Sequence, residues 1–241
     1  MKRTFFILAV LTAALLSYGL YQAAVGSPPI EVPVAEGADP NVMSNIFRIF
    51  YYHVSSAWTA FLLFFVNFVA SIWYVWKRNL VADAVAVTAA EVGVVFCTVV
   101  LVTGPIWARP VWNVWWTWDA RLTSTLVMWL IYVSYLMLRR FATGGHTPVL
   151  AAALAIIGFA DVPFVYLSIR FFNTNHPQPV IGGGAESYIY PAMLRALLVN
   201  FAAFLCFAFL ICWSRYRLER VKRQLEEVQA LEGLLEPRGT R

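Results

Sequence analysis

Only three of the 241 residues are cysteine, Cys97, Cys206 and Cys212, and all three fall within long apolar runs. There is no CxxC pair and no CxxCH stretch, which argues against a thiol oxidoreductase and against a cytochrome with covalently attached haem. The GxxxxGK[ST] loop of nucleotide-binding proteins is also missing: the run Gly182-Gly183-Gly184 has neither the lysine nor the hydroxyl that holds a phosphate. Energy from ATP would have to come from another subunit. No Ser-His-Asp or Cys-His pairing stands in a persuasive context. Internal repeats and low-complexity segments are absent, and charged residues make up only 13% of the chain.

What is abundant is apolar. Hydrophobic residues account for 61% of the chain, the mean hydropathy is +0.67, and the charges cluster between runs of spanning length. Such runs lie near Phe5–Val25, Phe50–Trp76, Ala84–Ile106, Leu122–Leu138, Val149–Ile169 and Pro191–Trp213, each close to the roughly 20 residues a helix needs to cross hydrocarbon. Lipid leaves no partner for an unpaired backbone group, so the expected fold class is an all-α integral membrane protein of six transmembrane helices. Under that arrangement thirteen of the 18 Lys and Arg fall on one side: Lys2, Arg3, Lys77, Arg78, Arg139, Arg140, Arg215, Arg217, Arg220, Lys222, Arg223, Arg238 and Arg241. The positive-inside preference therefore makes both termini cytoplasmic. The net charge of +5 is a topology signal and calls for no nucleic acid. Lys2 and Arg3 before an apolar run also resemble the start of a secretory signal, but the stretch from Tyr18 to Ala24 stays largely apolar and favours a retained helix.

Five of the ten tryptophans crowd into one stretch, WARPVWNVWWTWDARLT, at Trp107, Trp112, Trp115, Trp116 and Trp118. This external segment, within residues 105–123, joins two spans and so lies at the bilayer edge. If the chain after Pro110 is helical, Trp112, Trp115, Trp116 and Asp119 follow i, i+3, i+4, i+7 spacing and share one face. An interfacial aromatic belt is the plainer reading. A belt needs one or two rings per helix end, so this density favours a flat surface for a flat aromatic guest.

Two of the three histidines belong to the same external face: His53 in FYYHVSSAW and His176 in NTNHPQP. Either alone reads as an interfacial histidine bonded to a neighbour. With aromatic rings between them the balance shifts, because a porphyrin iron takes imidazole from one or both sides while its ring takes aromatic and aliphatic walls. His146, in GGHTP, falls on the other side. Arg48, Arg109, Arg121, Arg170 and Arg195 sit on or near the face that positive charge avoids. Snorkelling or pairing with Glu31, Glu36, Asp39, Asp119 or Glu186 explains Arg48 well. Arg109 and Arg121 flank the tryptophans, where guanidinium forks would meet carboxylates of an anionic ligand. Asp119 either caps the helix starting near Arg121 or orients that arginine.

Glu91 and Asp161 are costly acids inside spans and point to packing, subunit contact or a conduit. Asp161 precedes Pro163, where a lost backbone hydrogen bond invites a kink. Residues 1–214 form the membrane unit and 215–241 a cytoplasmic amphipathic tail, with Leu218, Val221, Leu225, Val228, Leu231 and Leu235 spaced by three or four. The tail's basic first half suits lipid headgroups, and a docking helix for a cytoplasmic subunit is the sharper alternative. The Gly26–Ser44 loop, with Pro28, Pro29, Pro33 and Pro40, reads as extended.

The WWxWDxRLT stretch at Trp115–Thr123, the histidine after Tyr51-Tyr52, and the segment DVPFVYLSIRFFNTNHPQP together resemble the tryptophan-rich haem-handling proteins of cytochrome c biogenesis. Length and span number make the chain most similar to the CcmC, or haem exporter protein C, family. That resemblance implies that His53 and His176 ligate haem iron and that the loop bearing Trp107, Arg109, Trp112, Trp115, Trp116, Trp118, Asp119 and Arg121 holds the macrocycle. The cargo would be non-covalent b-type haem at the periplasmic face of the bacterial inner membrane, passed to the chaperone CcmE in an assembly with CcmA, CcmB and CcmD. Arg170-Phe171-Phe172 departs from the family pattern, which carries tryptophan there in many relatives. Two other classes fit parts of the pattern: a redox subunit using haem or quinone, and a structural subunit of an ABC transporter. The first should carry histidines at several depths, and the second needs neither external histidines nor the tryptophan cluster.

Overall fold

The structure, a computed structural model, describes residues 2–27, 45–142, 144–177 and 189–235. The prolines Pro28, Pro29, Pro33 and Pro40, the acids Glu31, Glu36, Asp39 and Glu186, the Gly182–Gly184 run, and Arg238 and Arg241 lie outside the described residues. Every regular element described is helical: α1 Lys2–Tyr21, α2 Ile49–Lys77, α3 Leu80–Trp112, α4 Ala120–Phe141, α5 Thr147–Gly158, α6 Asp161–Phe171 and α7 Pro191–Leu235. A π-helical turn, Gln22–Gly26, prolongs α1. Among the described residues, six helical stretches are long and apolar enough to cross a membrane, with α5 and α6 together making the fifth.

The junctions follow from local chemistry. Arg78, left-handed at φ 54°, closes α2 through its N–H on the Tyr74 carbonyl at 2.8 Å. The Asn79 side chain then caps α3 by accepting from the Val81 and Ala82 N–H groups at 2.8 and 3.1 Å, so Arg78 and Asn79 alone turn the chain back. In the fifth span Pro163 has no N–H for the Phe159 carbonyl four residues earlier, and that carbonyl accepts from Val162 N–H at 3.1 Å instead. The predicted kink is thus a break at Phe159 and Ala160 that separates α5 from α6.

The core lies between α2, α3 and α4, with α5 and α6 covering it. Phe64 of α2 stacks on Tyr132 of α4 at 3.7 Å between ring centroids and 9° between planes. Gly93 of α3 makes room for that pair, since a Cβ there would come within 2.7 Å of Phe64 Cε1. The α1 helix leans on α7, where Asn200 Nδ2 donates to the Gly19 and Ala196 carbonyls at 2.9 and 2.8 Å. Arg48 secures the far end of α1: its Nη1 donates to the Ala23 carbonyl at 2.6 Å. This arginine is therefore anchored on backbone, not merely snorkelling.

At the opposite end of the bundle, Asp83 is 3% exposed and held by two arginines. Arg139 donates to both its oxygens at 2.7 and 2.8 Å, and Arg223 Nη2 donates to Oδ2 at 2.7 Å. Higher on α3, Glu91 receives a two-point fork from Arg215 at 2.7 Å on each arm. Glu91 thus joins α3 to α7 through an ion pair. The expected basic patch for lipid headgroups is correspondingly smaller: acids of α3 occupy Arg215 and Arg223, while Arg217 and Arg220 stay exposed. The α7 helix runs through the 214/215 boundary without interruption.

Removing Asp83 leaves Arg139 without its carboxylate partner and Arg223 with Glu219 alone. We expect Asp83→Ala to destabilise the protein by about 3–5 kcal/mol, the usual cost of breaking a buried pair. Thermal unfolding in detergent checks this, and an unchanged midpoint would reduce the cluster to a solvated surface network.

Candidate functional site

The site grows from the end of α3. Trp107 and Trp112 lie on its last turns and meet edge to face at 4.8 Å, and Phe47 abuts Trp107 in the same manner at 5.4 Å. The helix stops at Asn113, which is left-handed at φ 58°, a conformation asparagine tolerates better than most residues. Arg109 reaches forward to the Asn113 carbonyl and side chain, reinforcing the stop. Residues 113–119 are non-helical, so the expected helical face shared by Trp112, Trp115, Trp116 and Asp119 does not exist. The tryptophan spacing coincides with a helical period, but the backbone leaves the helix before the second ring of the series.

Asp119 restarts the helix. Its Oδ1 accepts from Leu122 N–H at 2.9 Å, and its Oδ2 accepts from the Thr117 hydroxyl at 2.9 Å. Of the two roles open to it, the structure gives it capping, and the cap delivers Arg121 to the first turn of α4.

These elements surround an open-mouthed cavity with about 1370 Å³ of atom-free space, counting the part open to solvent. His53, Trp107, Trp112, Trp116, Arg121 and His176 line it among mostly apolar neighbours. Trp115 and Trp118 do not; they are 60% and 77% exposed. Arg109 lies outside it as well, near the Trp115 ring. The single platform expected from the sequence is therefore divided, with three tryptophans around the cavity and two at its outer rim.

His53 comes from the second turn of α2 and His176 from the loop after α6, yet their rings stand 6.4 Å apart, centroid to centroid, and 35° between planes. Each ring has its Nδ1 engaged. For His176 the partner is the Pro177 carbonyl at 2.8 Å; a carbonyl only accepts, so Nδ1 carries the proton and Nε2 keeps its lone pair. For His53 the partner is the Thr103 hydroxyl at 2.8 Å. Burial, and then the Arg121 cation, push the His176 imidazole down to about 3, so at neutral pH no proton competes for its lone pair.

The cavity also presents unused donors. Arg121 Nη1, Trp107 Nε1 and Trp116 Nε1 are buried without a hydrogen-bond partner. A buried unpaired donor is costly, most of all on a cation, and three around one apolar cavity fit an anionic guest. Among the described residues no group of three or more His, Cys, Asp or Glu gathers as it would around a bare metal ion. Two imidazoles suffice when the metal brings its own equatorial nitrogens.

Thr103 and Gly104 were not singled out from the sequence. The available signal was slight: Thr103 precedes Trp107 by four residues, hence on the same helix face. Gly104 lies beside His53, with 3.6 Å from an added Cβ to the ring's Cε1.

Comparison with known proteins bears on this geometry. The family model for heme exporter protein C matches residues 1–231. Heme exporter protein C of Bradyrhizobium diazoefficiens is 32% identical over 227 residues, covering 93% of this chain and 82% of that protein. Heme exporter protein C of Escherichia coli K12 is 34% identical over 180 residues, covering 72% and 70%. A putative cytochrome c biosynthesis ccmC-like mitochondrial protein of Arabidopsis thaliana is 31% identical over 194 residues, covering 79% and 73%. The chain is a member of the heme exporter protein C (CcmC) family.

Proposed function

We propose that this protein is a membrane haem chaperone for cytochrome c maturation, a carrier whose side chains position a cargo and make no bonds in it. Non-covalent b-type haem is held between His53 and His176 at the periplasmic face of the bacterial inner membrane and presented to CcmE. CcmA, CcmB and CcmD complete the assembly. The names of the relatives support the haem and cytochrome c parts of this reading. The placement of Lys77, Arg78, Arg139 and Arg140 at the opposite end of the bundle supports the periplasmic assignment.

The observation that carries the proposal is the spacing of the imidazoles. An iron–nitrogen bond of about 2.0 Å, as for zinc–imidazole, plus about 1.1 Å from nitrogen to ring centre puts two axial rings about 6.2 Å apart. The observed 6.4 Å matches that span. Haem supplies the iron with its four equatorial nitrogens. The protein supplies two neutral imidazoles, the indole walls of Trp107, Trp112 and Trp116, and Arg121 for a propionate. His146, the third histidine, stands at the start of α5, so the chain has no second histidine pair for relaying electrons across the membrane.

The absorption spectrum of the purified protein tests this reading: a six-coordinate low-spin Soret band is expected, lost when the histidines are replaced. The cavity also sorts the tryptophans. Trp116→Ala should weaken haem retention by roughly tenfold, on the order of the 1 kcal/mol or more that an aromatic contact adds, whereas Trp118→Ala should leave haem per protein near wild type. Equal losses would mean that the rim rings hold the macrocycle too.

A further inference from the structure

We infer that Thr103 is a positioning residue that fixes the tautomer and rotation of His53. The inference rests on the proposed iron ligation by His53.

The argument turns on where the Thr103 proton is. Thr103 Oγ1 lies 2.7 Å from the Val99 carbonyl oxygen one turn earlier and 2.8 Å from His53 Nδ1. Two oxygens at 2.7 Å with no proton between them repel, so the hydroxyl hydrogen belongs to the Val99 carbonyl, the back-bond a threonine commonly makes within a helix. The hydroxyl then has only lone pairs to offer the imidazole. His53 Nδ1 must donate, and Nε2 is left deprotonated with its lone pair available to a metal.

The two histidines differ in what backs them. His176 is bonded by the carbonyl of the next residue, Pro177, so its orientation travels with its own loop. His53 is held across two helices, from α2 to α3, by a residue 50 positions away. The α3 segment holding Thr103 continues through Pro105 and Pro110 to Trp107 and Trp112, so one helix carries both the ring's partner and the indole wall. Without the hydroxyl, the imidazole loses the partner that selects Nε2 over Nδ1 for the iron, the usual task of an outer-sphere hydrogen bond to a ligating histidine.

The test uses the full-length protein purified with haem, comparing Thr103→Val, Thr103→Ala, Thr103→Ser and His53→Ala. Readouts are the Soret band, the electron paramagnetic resonance g-values, the haem midpoint potential and the haem dissociation constant. The Val and Ala variants are expected to bind haem about 10–100-fold more weakly and to shift spectrum and potential towards those of His53→Ala. Thr103→Ser should restore the wild-type signature. Either hydroxyl-free variant decides the matter if the other does not accumulate. Wild-type spectra and affinity in a hydroxyl-free variant, alongside a changed His53→Ala, would overturn the role of Thr103 and leave the ligation standing. An unchanged His53→Ala would overturn the ligation and this inference with it.

Discussion

A variant carrying both His53→Ala and His176→Ala is expected to purify essentially free of haem while still inserting as a folded bundle. Neither imidazole is needed for the core: Phe64, Tyr132 and Gly93 pack outside the cavity lining, and each histidine makes one side-chain hydrogen bond at the cavity wall. Altering a residue behind a metal ligand commonly costs 10–100-fold in affinity, and deleting the ligand itself should cost more. Each single variant should therefore lose upwards of about 100-fold, with residual haem moving to a five-coordinate spectrum on the remaining imidazole. Haem content unchanged in both single variants would exclude the pair as axial ligands, whatever their spacing.

The second large effect is expected at Arg121, and it has two signs. Its guanidinium lines an apolar cavity with Nη1 buried and unpaired, an arrangement that destabilises the empty protein and favours binding of an anion. Arg121→Leu should raise the unfolding temperature of haem-free protein, since it removes a desolvated donor worth about 1–3 kcal/mol when left unmade. The same change should weaken haem binding by roughly 10–100-fold through loss of a charge-assisted bond to a propionate. Lysine should recover little, because a point charge on a flexible stem does not reproduce a planar fork. Arg109→Gln is the contrast: its guanidinium is engaged by Asn113 and lies outside the cavity, so haem affinity should stay near wild type. Calorimetry of the haem-free proteins and haem titration read both effects. Equal losses at Arg109 and Arg121 would overturn the placement of the anion within the cavity.

The contrast between these arginines shows where sequence reading succeeds and where it stops. Spans were legible because hydrocarbon thickness imposes a length and forbids polar interruptions, so hydropathy at helix scale carries the answer. The break at Phe159 was legible in part, because Pro163 removes a known donor. The end of α3 was not. Pro105 and Pro110 lie inside the helix, while the true stop is a left-handed asparagine held by Arg109 four residues earlier. Because the tryptophan spacing also fits a helix, the apparent periodicity pointed the wrong way. Arg109 and Arg121 look alike in a string that brackets an aromatic cluster; only the fold shows one bound to a helix end and the other facing the cavity without a partner for Nη1. Thr103 was invisible for the same reason, since its role is a contact between helices whose register the sequence does not state.

The 45 residues of α7 span about 68 Å, well beyond what a bilayer core requires. Arg215 and Arg223 fasten this rod to α3 at two points about 12 Å apart along its axis. In mechanical terms it is a beam bedded along α1 and α2, pinned to α3 at those two points, with an overhang. A sideways load on the overhang beyond Arg223 is delivered to α3 as a couple: one support is pushed while the other is pulled. The far end of α3 carries Thr103, Trp107 and Trp112, so the helix that takes up that torque is the same one that forms a wall of the cavity.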